Sequence, residues 1–124
     1  TEATYQHCWL SDGSALPQWV QLDLGSPLTV TAVRIWNYYQ PGSSSRIAKT
    51  IEVYVDDIKQ TNGSALASHG TAALTISPDA VDGADGGVKA LPSSKLGQYV
   101  TLNVTESRGD SYVGLGEVGI AIAE

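Results

Sequence analysis

Three aromatics, two amides and a cation stand close together in Trp36-Asn37-Tyr38-Tyr39-Gln40-Pro41-Gly42-Ser43-Ser44-Ser45-Arg46, with no charge before Arg46. Rings beside planar donors and acceptors suit a sugar, whose C–H faces stack on aromatic surface and whose hydroxyls need oriented partners. Tyr38, Tyr39, Gln40 and Arg46 supply that set within one loop. The competing reading is a packed corner, with Arg46 paired to Glu52 or to a loop carbonyl. Trp36 sits mid-strand and is expected inside as packing. The two tyrosines fall at the end of the alternation, before Pro41-Gly42, and are expected outside. Trp9 reads equally as a core plug or as a ring at a loop tip, and Trp19 as structural at the start of its strand.

Other chemistry-bearing residues are sparse. His7 and His69 lie far apart, with no HxxxH or CxxC spacing to hold zinc. No serine sits in a GxSxG elbow, and Ser43, Ser44 and Ser45 read as turn residues. Gly114-Leu115-Gly116 lacks the strand–loop–helix setting of a phosphate cradle. Asp56-Asp57 and the set Asp79, Asp82, Asp85 read as solvated loop acids, with a carboxylate pair or calcium ligands as the sharper alternative. Cys8 is the sole cysteine, which excludes an internal disulfide and is expected to pack as a buried thiol. No set of nucleophile, acid and base emerges, and the chain is read as non-catalytic.

At 124 residues the chain makes one domain, 1–124. Its 42% hydrophobic and 16% charged residues are those of a folded, soluble globule, and no run approaches the ~20 apolar residues that cross a bilayer. A net charge of -6, with no basic cluster, repels a nucleic-acid backbone, so no nucleic-acid partner is expected. The chain begins at Thr1 without a charged-then-apolar leader, and is expected to be an excised or processed part of a larger, multidomain protein.

The elements that must position these residues are strands. Residues 18–24 put Val20, Leu22 and Leu24 on one face, and residues 50–56 do the same with Ile51, Val53 and Val55. Within 28–38 the parity of Leu28 and Val30 differs from that of Val33 and Ile35, so a bulge is expected near Thr31. Further strands are expected in 72–76, 98–104 and 112–123. In the last of these the parity changes across Gly116-Glu117, which calls for a second bulge turning Glu117 away from the core. Residues 77–94, with Pro78, Asp79, Asp82, Gly83, Asp85, Gly86, Gly87 and Pro92, read as a long acidic loop of unassigned role. No window carries a capped helical stripe. The expected fold is all-β, a two-sheet antiparallel sandwich of jelly-roll or Greek-key type.

The order of motifs is more specific than composition. Trp9-Leu10-Ser11-Asp12-Gly13 is followed by Pro17-Gln18-Trp19-Val20-Gln21-Leu22-Asp23-Leu24-Gly25, by Val33-Arg34-Ile35-Trp36-Asn37-Tyr38, by Arg46 with Ile51-Glu52-Val53-Tyr54-Val55, and by Val113-Gly114-Leu115-Gly116-Glu117-Val118. This resembles the discoidin, or coagulation-factor C-type, family and its relatives among family 32 carbohydrate-binding modules. The likeness covers the strands toward both ends, and no clear counterpart is seen for residues 56–98.

The resemblance implies a galactose-binding-like β-sandwich that holds a ligand with the loops at one end, is not catalytic, and needs no cofactor beyond a structural calcium ion in some members. It implies ligand contacts at Trp9, Tyr38, Tyr39, Gln40 and Arg46. It places a calcium site at Glu117, together with the N-terminal position held here by Glu2-Ala3. The expected function is a carbohydrate-binding module that keeps an attached enzyme or surface protein on a polysaccharide, secreted or at the cell surface. The alternative is a protein-binding or cell-adhesion domain of the same fold. Membrane binding ranks last, because it wants exposed apolar side chains beside Lys or Arg.

Overall fold

The structure, a computed structural model, describes residues 2–5, 9–11, 16–38, 44–61, 66–78, 85–110 and 112–123, with the backbone alone for 2–5, 44, 66 and 67. The described strands are β1 (Glu2–Tyr5), β2 (Trp9–Leu10), β3 (Gln18–Asn37), β4 (Ala48–Asp56), β5 (Leu74–Ile76), β6 (Asp85–Ser107) and β7 (Gly114–Ile122). Among the described residues there is no α-helix, only short 3-10 turns at Ser44–Arg46 and Leu66–His69.

β3 and β6 are the frame. They pair antiparallel from Gln18 opposite Val104 to Trp36 opposite Asp85. Between Asp23–Tyr99 and Leu28–Gly97 the register breaks, and residues 24–27 have no ladder partner. On one side of this break β6 takes β4 as its second neighbour, and β4 takes β5. On the other side β3 takes β7, which also carries β1 and β2. One hydrogen-bonded sheet is thus folded into two antiparallel layers joined through β3 and β6, the two-sheet sandwich expected from the alternation. At the fold-over Gly25 has φ 85° and donates its N–H to Asp23 Oδ1 at 2.8 Å. A side chain on Gly97 would meet the Asp56 backbone N at 2.5 Å, so only glycine lets the strands approach there.

Val33, Ile35, Ile51, Val53, Leu102, Val104 and Ile120 point between the layers at 0–3% exposure. Each such side chain contributes roughly 1.5–3 kcal/mol on burial. Both expected bulges are present. The register of β3 skips Thr31 against both its neighbours, which carries Val30 and Val33 to the same core. On β7 the pairs Trp36–Glu117 and Asn37–Leu115 leave Gly116 as the extra residue, and a Cβ there would lie 2.4 Å from Asn37 O.

The expected loop at 77–94 is corrected for its second half. Residues 85–94 belong to β6, as an edge strand of the β7 layer. Its breakers are tolerated because the ladder loosens there: Ala90 pairs with Ala32 and Lys95 with Val30, so four residues including Pro92 stand outside the pairing.

Candidate functional site

β3 ends at Asn37, β4 begins at Ala48, β6 ends at Ser107 and β7 begins at Gly114, so the 38–47 and 108–113 connections meet at one end of the sandwich. β2 joins them there. Leu10 pairs with Gly114, Ile47 bridges to Gly114, and Ser11 exchanges two bonds with Val113: its N–H donates to Val113 O at 2.9 Å, and its Oγ accepts from Val113 N–H at 3.0 Å. Buried Ser11, at 6% exposure, replaces the ladder where β2 stops.

Tyr38 follows the last residue of β3 and turns onto Gly114. A side chain at 114 would come 2.4 Å from Tyr38 Cδ1 and 2.8 Å from Trp9 O. The expectation of Trp36 inside and the tyrosines outside is therefore reversed for the pair that can be compared. Tyr38 is 8% exposed. Trp36 alternates with buried Ile35 and Asn37, and so lies on the outer face, partly buried, with the Arg34 guanidinium 4.5 Å from its ring centroid. Arg34 is held in turn by Asp85, which accepts from Nε at 2.9 Å and also from Nη2. That pairing, with the Gly87 N–H, lowers the Asp85 carboxyl to about 2.

Arg46 ends the short 3-10 turn with its side chain three-quarters enclosed. Its Nε donates to Asp110 Oδ2 at 3.3 Å, it hydrogen-bonds Tyr38, and its guanidinium lies 5.1 Å from the Tyr112 ring centroid. The Asp110 bond first and the Tyr38 bond second raise the arginine above its ordinary value. Asp110 is itself fixed by its turn: Oδ1 accepts from Tyr112 N–H at 3.0 Å, its carbonyl accepts from Ser107 Oγ at 2.5 Å, and its N–H reaches Ser45 O at 3.3 Å. Tyr112 remains 37% exposed.

Of the residues expected at the ligand end, the structure brings Trp9, Tyr38 and Arg46 around Gly114. Tyr39 and Gln40 lie outside the described residues. The Trp9 ring is half-buried and packs against the core, so of its two readings the plug is the one observed. Sequence reasoning missed Asp110 and Tyr112. Their signal was present in Arg108-Gly109-Asp110, a turn directly ahead of the Val113-to-Val118 motif.

The two positions expected to share calcium are separated along the backbone of β7. Glu2 pairs with Ala121 and Glu117 with Trp36, four residues apart on β7, or about 13 Å at 3.3 Å per residue. The side chain of Glu2 is outside the described residues. Among the described residues no three His, Cys, Asp or Glu side chains converge as metal ligands would. His69 is accounted for structurally: its side chain is enclosed, with Nδ1 2.7 Å from Asp56 Oδ2 and Nε2 2.7 Å from Gln60 Oε1.

The model of a family described as NedA-like, galactose-binding domain, of F5/F8 type C, matches residues 2–102. That span includes 56–98, where the motif comparison saw no counterpart, and stops short of the Val113-to-Val118 motif. No curated protein matches the chain. Among solved structures, the f-lectin (fucolectin) of striped bass (Morone saxatilis) serum superposes with a TM-score of 0.68 at 19% identity, over 94% of this chain and 36% of that one. This chain thus spans about a third of the fucolectin's length. The family 32 carbohydrate-binding module of C. perfringens NanJ, solved in complex with galactose, superposes with a TM-score of 0.62 at 14% identity, over 97% of this chain and 91% of that one. The shared fold is the galactose-binding-like β-sandwich.

Proposed function

The chain belongs to the F5/F8 type C family as a NedA-like, galactose-binding domain, and on that premise we propose that it is a non-catalytic carbohydrate-binding module. Its task on this reading is to hold an attached enzyme or surface protein at a polysaccharide, outside the cell or on its surface. Tethering of this kind raises the local concentration of substrate without any chemistry of its own.

One observation carries the placement of the site. A partly enclosed arginine, a fixed carboxylate and an exposed tyrosine converge at the end where the loops meet: Arg46 bonds Asp110 and Tyr38 and lies over Tyr112. Tyr112 offers ring surface for a pyranose C–H face, worth on the order of 1 kcal/mol, as for an aromatic pair. Asp110 accepts sugar hydroxyls, and Arg46 donates from a planar fork. Tyr38 braces Arg46 from beneath, and Trp9 edges the site through Gly114. Tyr39 and Gln40 join the proposal by their position in the 38–47 loop.

Titration calorimetry with galactose, followed by a glycan array, tests this. Binding that is saturable and is lost in Tyr112→Ala, with the melting temperature kept, is the expected result. Undiminished binding by that variant places the ligand elsewhere.

A further inference from the structure

We propose that the groove between the facing edges of the two layers is a second sugar subsite, so that the module grips at least two consecutive units of a glycan chain. The inference rests on the carbohydrate-binding reading above and adds to it a site and a ligand length.

β5 is the edge of one layer and the first half of β6 the edge of the other. Where they face each other lies a cavity of about 280 Å³. Small-molecule sites start at about 300 Å³, so the space suits one sugar ring and not a longer ligand. Its chemistry is two-sided. Ile35, Ile76 and Pro78 give an apolar floor to which buried Asn37 adds an amide, and exposed Asp85 and Lys89 line the mouth. A pyranose presents the same division between its C–H face and its hydroxyls. The charge at this edge is supplied by Lys89, which pairs with core-facing Val33 and so stands on the inner face, while the Asp85 carboxylate is held by Arg34 on the outer face. One wall is bare backbone: a Cβ on Gly86 would lie 2.9 Å from Ile35 O.

The groove borders the arginine–tyrosine site through Arg108. The carbonyl of Pro78, in the groove, accepts from Arg108 Nη2 at 2.5 Å, and the Arg108 N–H donates to Ile47 O at 3.2 Å, beside Arg46. Arg108 and Asp110 are two residues apart, at most about 7 Å along the chain. A sugar on Tyr112 and Asp110 therefore has its chain neighbour within reach of the groove, and the second contact becomes intramolecular.

Calorimetry with galactose, β-1,4-galactobiose and β-1,4-galactotriose reads this directly. The expected result is a rise of about tenfold in affinity from galactose to galactobiose, with little more for galactotriose. Ser77 and Lys89 are exposed, so Ser77→Trp and Lys89→Ala keep the fold, which a melting curve checks. In Ser77→Trp, which fills the groove, the galactobiose-to-galactose affinity ratio falls to about one, and in Lys89→Ala it falls part of the way. A ratio near one in the unmodified protein, or a ratio that survives in both variants, overturns the second subsite and leaves the first intact. Failure of all three sugars to bind overturns the carbohydrate reading itself.

Discussion

Replacing Tyr38 by alanine removes the ring on which the site rests. That ring is 8% exposed, lies against Gly114 and bonds Arg46. A buried tyrosine takes roughly 150–250 Å² out of water. At about 25 cal/mol per Å² this is worth about 4–6 kcal/mol as an upper bound, and measured truncations of large buried aromatics cost roughly 3–5 kcal/mol. The expected loss is about 3–4 kcal/mol. The same change at Trp36 removes a ring on the outer face, where the Arg34 contact contributes about 0.5–1 kcal/mol and burial is partial, so about 1–2 kcal/mol is expected. Urea denaturation of both variants gives the two values. In a chain of this size each kcal/mol moves the melting temperature by about 3–5 °C, which provides a second reading. Tyr38→Phe keeps the ring and loses only the hydroxyl, at about 1 kcal/mol, while weakening sugar binding through Arg46. If Trp36→Ala costs more than Tyr38→Ala, or Tyr38→Ala costs less than about 1 kcal/mol, the packing account of the site is wrong.

Arg46→Lys keeps the charge but loses the planar fork, and is expected to lower galactose affinity about tenfold with little change in melting temperature, measured by calorimetry and differential scanning fluorimetry. The Asp85 carboxyl is lowered to about 2 by Arg34, so its stabilising contribution is full above the unfolded value near about 4 and is lost as pH falls through about 2. Melting temperature should drop across that window, less steeply in Asp85→Asn, and with a smaller difference between the two at high salt because the pair is about one-third exposed. Glu2 and Glu117 lie four residues apart along β7, so any rise in melting temperature on adding calcium is expected to be the same in Glu2→Gln as in the parent, read with and without chelator.

Much of the fold is legible in the alternation, including places where it fails. Val30 and Val33 cannot both face the core in a regular strand, and Thr31 is the bulge that lets them. The same holds for Gly116. The first half of β6 is not legible, because an edge strand facing solvent needs no alternation: Val88 and Leu96 are exposed at 59% and 64%, and Gly86, Gly87 and Pro92 read as a loop. The site was half legible. Arg46 and Tyr38 follow from the loop after β3, but Tyr38 is inside because of Gly114, a residue 76 positions away. Asp110 and Tyr112 enter through a turn whose partners, Ser45 and Arg46, no local pattern announces.

A nitrogen–proton correlation NMR titration with galactose tests the central claim most directly, because it locates the ligand without altering any residue. The account predicts shifts that saturate together and are largest at the amides of Arg46, Ile47, Asp110, Tyr112 and Gly114, with the opposite end of the sandwich, at Gly25 in the fold-over of β3 and Ile122 at the end of β7, unmoved. Shifts centred on that opposite end, or no shifts at millimolar galactose, would contradict it.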